Sequence, residues 1–307
     1  MPVAVISHPN CSAHSMGEFH PESPARMTAI QDQMISSGLD FAVRSIEATP
    51  IERSLLELAH EKEYIDYIFA NAPTTGTFPL DPDTSMNPFS LNAALYAAGA
   101  AKDAVDLVMS QAVGSVFCAT RPPGHHAERD KAMGFCIFNN IAIAALYAQQ
   151  KYQLKKIAIV DFDVHHGNGT ENIISDKKGF LFCSTFQHPF YPFSGTEPHP
   201  AHIINSPLPA TASSAEFRQK VTEDWLPALN EFKPEMLFIS AGFDAHVADD
   251  ISQIELFDND YRWVTEQLVS VAKEHAQGRI VSVLEGGYEL GALGRSVVAH
   301  INGLIGH

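Results

Sequence analysis

Basic residues are scarce in this chain. Twenty Lys+Arg stand against 36 Asp+Glu, a formal net charge of −16 over 307 residues. So acidic a surface repels phosphate backbones and anionic headgroups, which excludes nucleic acid and anionic membranes as expected partners. Cysteine is scarcer still. The four, at 11, 118, 136 and 183, form no C-x-x-C pair, which speaks against a disulfide framework and an all-cysteine zinc site. Cys118 and Cys183 fall in apolar runs, where a thiol serves as a small hydrophobe. No apolar stretch approaches the roughly 20 residues that cross a bilayer. The start, Met-Pro-Val-Ala-Val-Ile-Ser, lacks a basic n-region and a long h-region, and reads as a first strand rather than a signal peptide. The expected setting is a soluble, reducing compartment, most simply the cytoplasm.

What the chain does have is apolar material: 45% of residues are hydrophobic and 18% charged, enough for a sizeable core. Short runs rich in Val, Ile and Phe read as strands buried on both faces: Val3–Ser7, Ser115–Thr120, Ile157–Val160, Gly179–Thr185, Met236–Ser240 and Arg279–Leu284. Helical patterns lie between them. Ser90 is placed to cap Leu91–Met109, and others cover Ile137–Gln150, Ala215–Phe232, Asp258–His275 and Leu290–Ile305. This alternation predicts an α/β fold with a mostly parallel sheet and helices on both faces. No repeat, low-complexity tract or linker divides residues 1–307, so one domain is expected. Ala72–Pro88 and Gln187–Ser214, rich in Pro and Thr/Ser, read as long surface loops, which are often functional.

In open α/β sheets, ligands bind beyond the carboxyl ends of the strands. Four predicted strands end in chemically loaded turns. They are Arg121-Pro-Pro-Gly-His125-His126, Asp161-Phe-Asp163-Val-His165-His166-Gly-Asn168, Ala241-Gly-Phe-Asp244-Ala-His246 and Glu285-Gly-Gly-Tyr288. Asp163 and His165, at i and i+2, point the same way in extended chain, so a carboxylate and an imidazole can grip one ion. Asp244 from a neighbouring strand end supplies a third ligand. Three N/O ligands leave positions open for water and substrate, the catalytic pattern for zinc. The two aspartates also cancel a +2 charge. Pro122-Pro123-Gly124 turns His125 and His126 toward the same cleft. Gly286-Gly287 permits close backbone approach beside Tyr288.

These pieces resemble the zinc-dependent histone deacetylases and their relatives, the acetylpolyamine amidohydrolases and bacterial histone-deacetylase-like amidohydrolases. The resemblance rests on His14-x-x-Gly17-x-x-His20-Pro21-Glu22-x-Pro24-x-Arg26, Arg121-Pro-Pro-Gly-His-His-Ala127, Gly134-Phe135-Cys136-x-Phe138-Asn139-Asn140, Asp161-Phe-Asp-Val-His-His-Gly-Asn-Gly-Thr170, Ala241-Gly-Phe-Asp-Ala-His246 and Leu284-Glu-Gly-Gly-Tyr288. They occur in family order over nearly the whole chain, and Asn168 with Ala-Gly-Phe-Asp-Ala-His is closer to the class II branch. The resemblance implies an arginase/deacetylase-like fold and hydrolysis of an N-acyl amide on a long amine. It implies Asp163, His165 and Asp244 as ligands of Zn²⁺; the donor set also suits Fe²⁺ or Co²⁺. It implies His125, His126 and Tyr288 as catalytic groups, with Asp161 and Asn168 behind the two histidines. Gly134, Phe135, Phe190 and Gly287 would border an acyl-lysine tunnel. The stretch Pro189-Phe-Tyr-Pro-Phe-Ser-Gly195 departs from the family's Phe-Phe-Pro-Gly pattern. A structural K⁺ would lie at Asp161, Asp163 and His165, largely through backbone oxygens, with Ser184. The substrates expected are acetyl-lysine peptides and proteins or, alternatively, acetylated polyamines. Asp81 and Asp83 are placed for the tunnel rim. A two-metal, arginase-type hydrolase using Glu171 and a catalytically silent acetyl-lysine binder are the other classes considered.

Overall fold

Val3–Ser7 (β1) sends Ala4 and Ile6 to one side and Val3 and Val5 to the other, and both sides are buried. That two-sided burial recurs through the interior strands and organises the molecule. The computed structural model describes residues 2–306. After β1 come helix Ala25–Ser36 (α1), strand Arg44–Glu47 (β2) and helices Arg53–Leu56 (α2) and Lys62–Ala70 (α3). A hairpin of two short strands follows, Phe78–Pro79 (β3) and Ser85–Met86 (β4), then helix Ser90–Met109 (α4) and strand Ser115–Cys118 (β5). Next are helix Asn140–Tyr152 (α5), strand Ile157–Asp161 (β6), helix Asn168–Ile174 (α6) and strands Phe180–Gln187 (β7) and Ile203–Leu208 (β8). Helices Ser214–Lys220 (α7) and Leu226–Phe232 (α8), strand Met236–Ala241 (β9), helix Asp258–His275 (α9), strand Ile280–Leu284 (β10) and helix Leu290–Ile305 (α10) complete the chain.

Eight strands form one sheet in the order β2-β1-β5-β10-β9-β6-β7-β8, every pairing parallel. On one face α3, α4, α5 and α6 pack on Ile6, Ile159, Phe182 and Val283. On the other, α1, α7, α8, α9 and α10 cover Val5, Val160, Leu181 and Leu284. Alanines at 93, 94, 97, 98, 100, 101 and 104 let α4 lie close against its neighbours, all of them fully buried. The four strands whose ends carry the loaded turns, β5, β10, β9 and β6, are contiguous at the centre of the sheet. The turns therefore meet at one edge. All four cysteines are buried and unpaired.

The differences from expectation have local causes. The expected helix 215–232 is broken into α7 and α8 by a π-turn at Val221–Trp225. Pro227 follows it, and Pro lacks an N–H to donate into a regular helix. Ser90 is the first residue of α4 rather than its cap. Its hydroxyl accepts the Asn87 N–H (2.8 Å), while Asn87 Oδ1 takes the Phe89 N–H (3.0 Å). The two stretches expected to be loops contain structure: β3 and β4 lie in one, and β8 in the other. β8 carries Pro207, which an edge strand tolerates because one side of its backbone has no partner.

Candidate active site

Asp163, His165 and Asp244 converge at the carboxyl ends of β6 and β9, with donor atoms all within 4.8 Å of one another. It is the one such group of three or more potential ligands among the described residues. Backbone bonds aim the carboxylates. Asp163 Oδ1 accepts the His165 N–H (2.9 Å), Asp163 Oδ2 the Gly286 N–H (2.8 Å), and Asp244 Oδ1 the Val164 N–H (2.9 Å). Any side chain at Gly286 would run into both carboxylates, so close backbone approach demands glycine there. Asp244 Oδ2 is buried without a well-formed hydrogen bond. His165 Nδ1 stands 2.9 Å from Asp163 Oδ1 and 3.2 Å from Asp244 Oδ2. Burial opposes the charged imidazole, yet the bond to Asp163 and the nearby Asp244 carboxylate outweigh it and push His165 up to about 9. Burial, then the Asp163 charge, pushes Asp244 up to about 6. Two buried carboxylates and an imidazole, one oxygen unsatisfied, make a cradle of the charge and donor type that a divalent cation takes.

The histidine pair follows β5. His125 Nδ1 meets Asp161 Oδ2 at 2.9 Å, and His126 Nδ1 meets Asn168 Oδ1 at 2.7 Å. Glu285, which follows β10, fixes this turn by accepting the N–H groups of Gly124 (2.7 Å) and His125 (3.0 Å) on Oε2. Burial disfavours a charge on His125, but the carboxylates of Asp161, Asp163 and Glu285 outweigh it and hold this histidine well above its ordinary value. His126 goes the other way. Burial, then the neighbouring His125 and His165, holds it well below the ordinary range. Asn168 donates its amide N–H to Glu128 Oε1 (2.7 Å), so its oxygen faces His126. The His126 proton is thus on Nδ1, and Nε2 keeps its lone pair.

A cavity of about 200 Å³ opens onto His126, His165 and Tyr288. Phe135 and Phe190 line it, with Gly134, Tyr191, Asp83 and Ile251. The Phe190 ring stacks on His165 (5.3 Å between centroids, 19° between planes), and Phe135 meets Tyr288 edge-on at 5.8 Å. Gly134 and Phe135 both have positive φ, 56° and 68°, an uncommon state for Phe. The β3–β4 hairpin secures it. Asp83 Oδ1 accepts the Gly134 N–H (3.1 Å) and Thr84 Oγ1 the Phe135 N–H (2.9 Å). Asp81 instead closes its own turn by accepting the Asp83 N–H (3.2 Å). Gly287, expected on the tunnel, is not among its lining residues. Its carbonyl accepts from Arg26 Nε (2.7 Å) behind the tyrosine.

Ser184 pairs with Asp161 across β6 and β7, and its buried hydroxyl has no hydrogen-bond partner. Glu171, the extra carboxylate considered for a second metal, instead bonds His166 Nε2 (2.8 Å) and Asn205 Nδ2 (2.9 Å). Tyr191 and Ile251 were not singled out from the sequence. Tyr191 sits beside Phe190 in a stretch that departs from the family pattern, which was a signal; Ile251 carried none.

The α/β sheet thus carries a group of potential N/O ligands at its carboxyl edge, beside an aromatic-lined cavity. Residues 20–304 match the histone deacetylase domain. A probable deacetylase of Archaeoglobus fulgidus is 33% identical, the match covering 95% of this chain and 83% of that one. The polyamine deacetylase HDAC10 of Mus musculus is 34% identical over all of this chain and 48% of its own length. The crystal structure of the HDA15 HD domain superposes with a TM-score of 0.94 at 32% identity, covering 100% of this chain and 88% of that chain. The chain belongs to the histone deacetylase family, hydrolases that act on amides. Among the described residues no helix is long and apolar enough to cross a membrane.

Proposed function

We propose that this protein is a divalent-metal amidohydrolase that removes acetyl or other acyl groups from N-acyl-lysine side chains, releasing the acid and the free amine. The carrying observation is His126, held through Nδ1 by Asn168 Oδ1 (2.7 Å) on the wall of a narrow aromatic cavity beside the Asp163–His165–Asp244 group. Those three residues would hold Zn²⁺, or Fe²⁺ or Co²⁺, and Ser184 with the Asp161–His165 backbone would hold K⁺; the unsatisfied Asp244 Oδ2 and Ser184 Oγ support both. When bound, the divalent ion supplies Lewis acidity to the amide carbonyl and to a water. His126 Nε2 takes the water proton as the C–O bond forms, then passes it to the leaving nitrogen as the C–N bond breaks. His125, oriented by Asp161 (2.9 Å), contributes electrostatic stabilisation to the developing charge. Tyr288 donates a hydrogen bond to that oxygen. Phe135 and Phe190 exclude water and admit a neutral alkyl chain, which favours the acylated amine over an ammonium.

The rim favours a lysine substrate over a polyamine. Ile251 is apolar, and the Asp83 carboxylate is already engaged by Gly134 N–H and the Thr84 hydroxyl (2.7 Å), leaving less of it for a second ammonium. Steady-state kinetics on acetyl-lysine peptides and on acetylputrescine and acetylspermidine test this. The peptides are expected to lead in kcat/KM by at least about tenfold, or about 1.4 kcal/mol of transition-state binding. A preference for the polyamines overturns the substrate assignment and leaves the amidohydrolase chemistry standing.

A further inference from the structure

The tyrosine loop does not determine its own shape. It joins β10 to α10 through Gly286, tied by its N–H to Asp163 Oδ2 (2.8 Å), and Gly287, whose φ of 119° is open to glycine, so the last backbone step before Tyr288 has no side chain of its own to hold it. Something outside the loop must set where the phenol points. Behind the tyrosine, Arg26 bonds the carbonyls of Gly287 (2.7 Å) and Glu285 (2.5 Å). On the other flank stands Asp249, five residues beyond Asp244 and 5% exposed. Its Oδ2 accepts the N–H of Tyr288 itself (2.6 Å) and of Glu289 (3.0 Å), and its Oδ1 accepts the Ile251 N–H (3.2 Å). Its own N–H is anchored on the His246 carbonyl (2.8 Å).

We infer that Asp249 is a positioning residue for catalysis: its carboxylate fixes the Tyr288 backbone relative to the loop that carries Asp244, and so sets the distance between the phenol and the metal-ligand group. The inference rests on the proposed role of the Tyr288 hydroxyl. One carboxylate links three N–H groups from the loops after β9 and β10, the first of them on the tyrosine. Bonds from N–H to an ionised acceptor are the strong kind. Displacement of a catalytic group by about 1 Å can cost on the order of 10²-fold in rate. Glu289, next in sequence, caps α10 with its own side chain on the Ala292 N–H, so helix capping and tyrosine placement can be tested apart.

The test is a double-mutant cycle between Asp249 and Tyr288, with kcat, KM, bound metal and Tm measured for each protein. Asn at 249 keeps one oxygen for the Tyr288 and Glu289 N–H groups but turns an amide N–H toward that of Ile251. Asp249→Asn is expected to lower kcat by roughly tenfold, with KM within about twofold and metal retained; Asp249→Ala approaches the roughly 10²–10³-fold loss of Tyr288→Phe. In a Tyr288→Phe background, Asp249→Asn is expected to change kcat by less than about twofold, since the group it places is gone. Glu289→Ala is expected to lower Tm while sparing kcat. Equal kcat losses from Asp249→Asn in both backgrounds, or a kcat loss in Glu289→Ala matching that of Asp249→Asn, would overturn the inference. If Tyr288→Phe itself keeps full kcat, the role of the tyrosine fails instead.

Discussion

Replacing His300 with glutamine should remove one definite component of acid sensitivity. His300, on α10, is fully buried against Phe117, Phe162 and Phe243. Phe162 and Phe243 immediately precede Asp163 and Asp244, so this imidazole lies directly beneath the ligand group. Its tautomer is fixed. The Thr265 hydroxyl donates to the Tyr261 carbonyl (2.5 Å) and so accepts from His300 Nδ1 (2.6 Å), which leaves Nε2 to accept from Ser282 Oγ (2.8 Å). Burial pushes the group down from 6.5 to about 3. The unfolded chain therefore takes up a proton below pH 6.5 that the folded chain refuses. The stabilisation is complete above pH 6.5 and is lost as pH falls toward 3, at about 1.4 kcal/mol per pH unit. Glutamine retains donor and acceptor but does not titrate. Chemical denaturation of both proteins at pH 8 and pH 5 isolates the difference. The wild-type advantage over His300→Gln should shrink by about 2 kcal/mol between pH 8 and pH 5. A difference that stays constant over that range would refute a neutral, buried His300.

Asp244→Ala is expected to abolish divalent-metal binding and turnover while leaving the far-UV circular dichroism spectrum unchanged; near-stoichiometric metal by elemental analysis would contradict the ligand assignment. His126→Ala should cost about 10²–10⁴-fold in kcat with metal retained, measured on any acyl-lysine fluorogenic peptide. Gly134→Ala places a methyl against the His126 ring at a position with φ 56°. It should therefore reduce kcat more than KM, and wild-type kinetics would show that the ring has room to move. His60 offers a second acid-side check. Burial pushes it down to about 4, and it accepts the Asn139 N–H (2.9 Å) at the start of α5. The stability difference between wild type and His60→Gln should shrink as pH falls from 6.5 toward 4.

The central sheet was legible because β5, β6, β9 and β10 are buried on both faces and so are written as unbroken apolar runs. The outer strands were not. β2 is Arg-Ser-Ile-Glu, mostly exposed, and β8 includes a proline; strands with one unpaired edge carry too little apolar signal to read. The helices α1, α2 and α3 also went unread. At the site, residues belonging to a motif could be named from the sequence. Ile251 and Asp249 could not, because their placement depends on a loop after β9 packing against the loop after β10, a tertiary contact with no local pattern.

The stacking of Phe190 on His165 divides the labour between the two cavity walls. Phe190 stacks on His165, a proposed ligand, whose neighbour His166 is also bonded, through Nδ1, to Ser194 Oγ at 2.9 Å. That wall cannot retreat without disturbing the cation cradle. Phe135 leans instead on a hairpin of two-residue strands, which can change length or composition without touching a ligand. Adaptation to bulkier acyl groups should therefore run through the hairpin side, with Phe190 as the fixed jaw and Phe135 as the adjustable one.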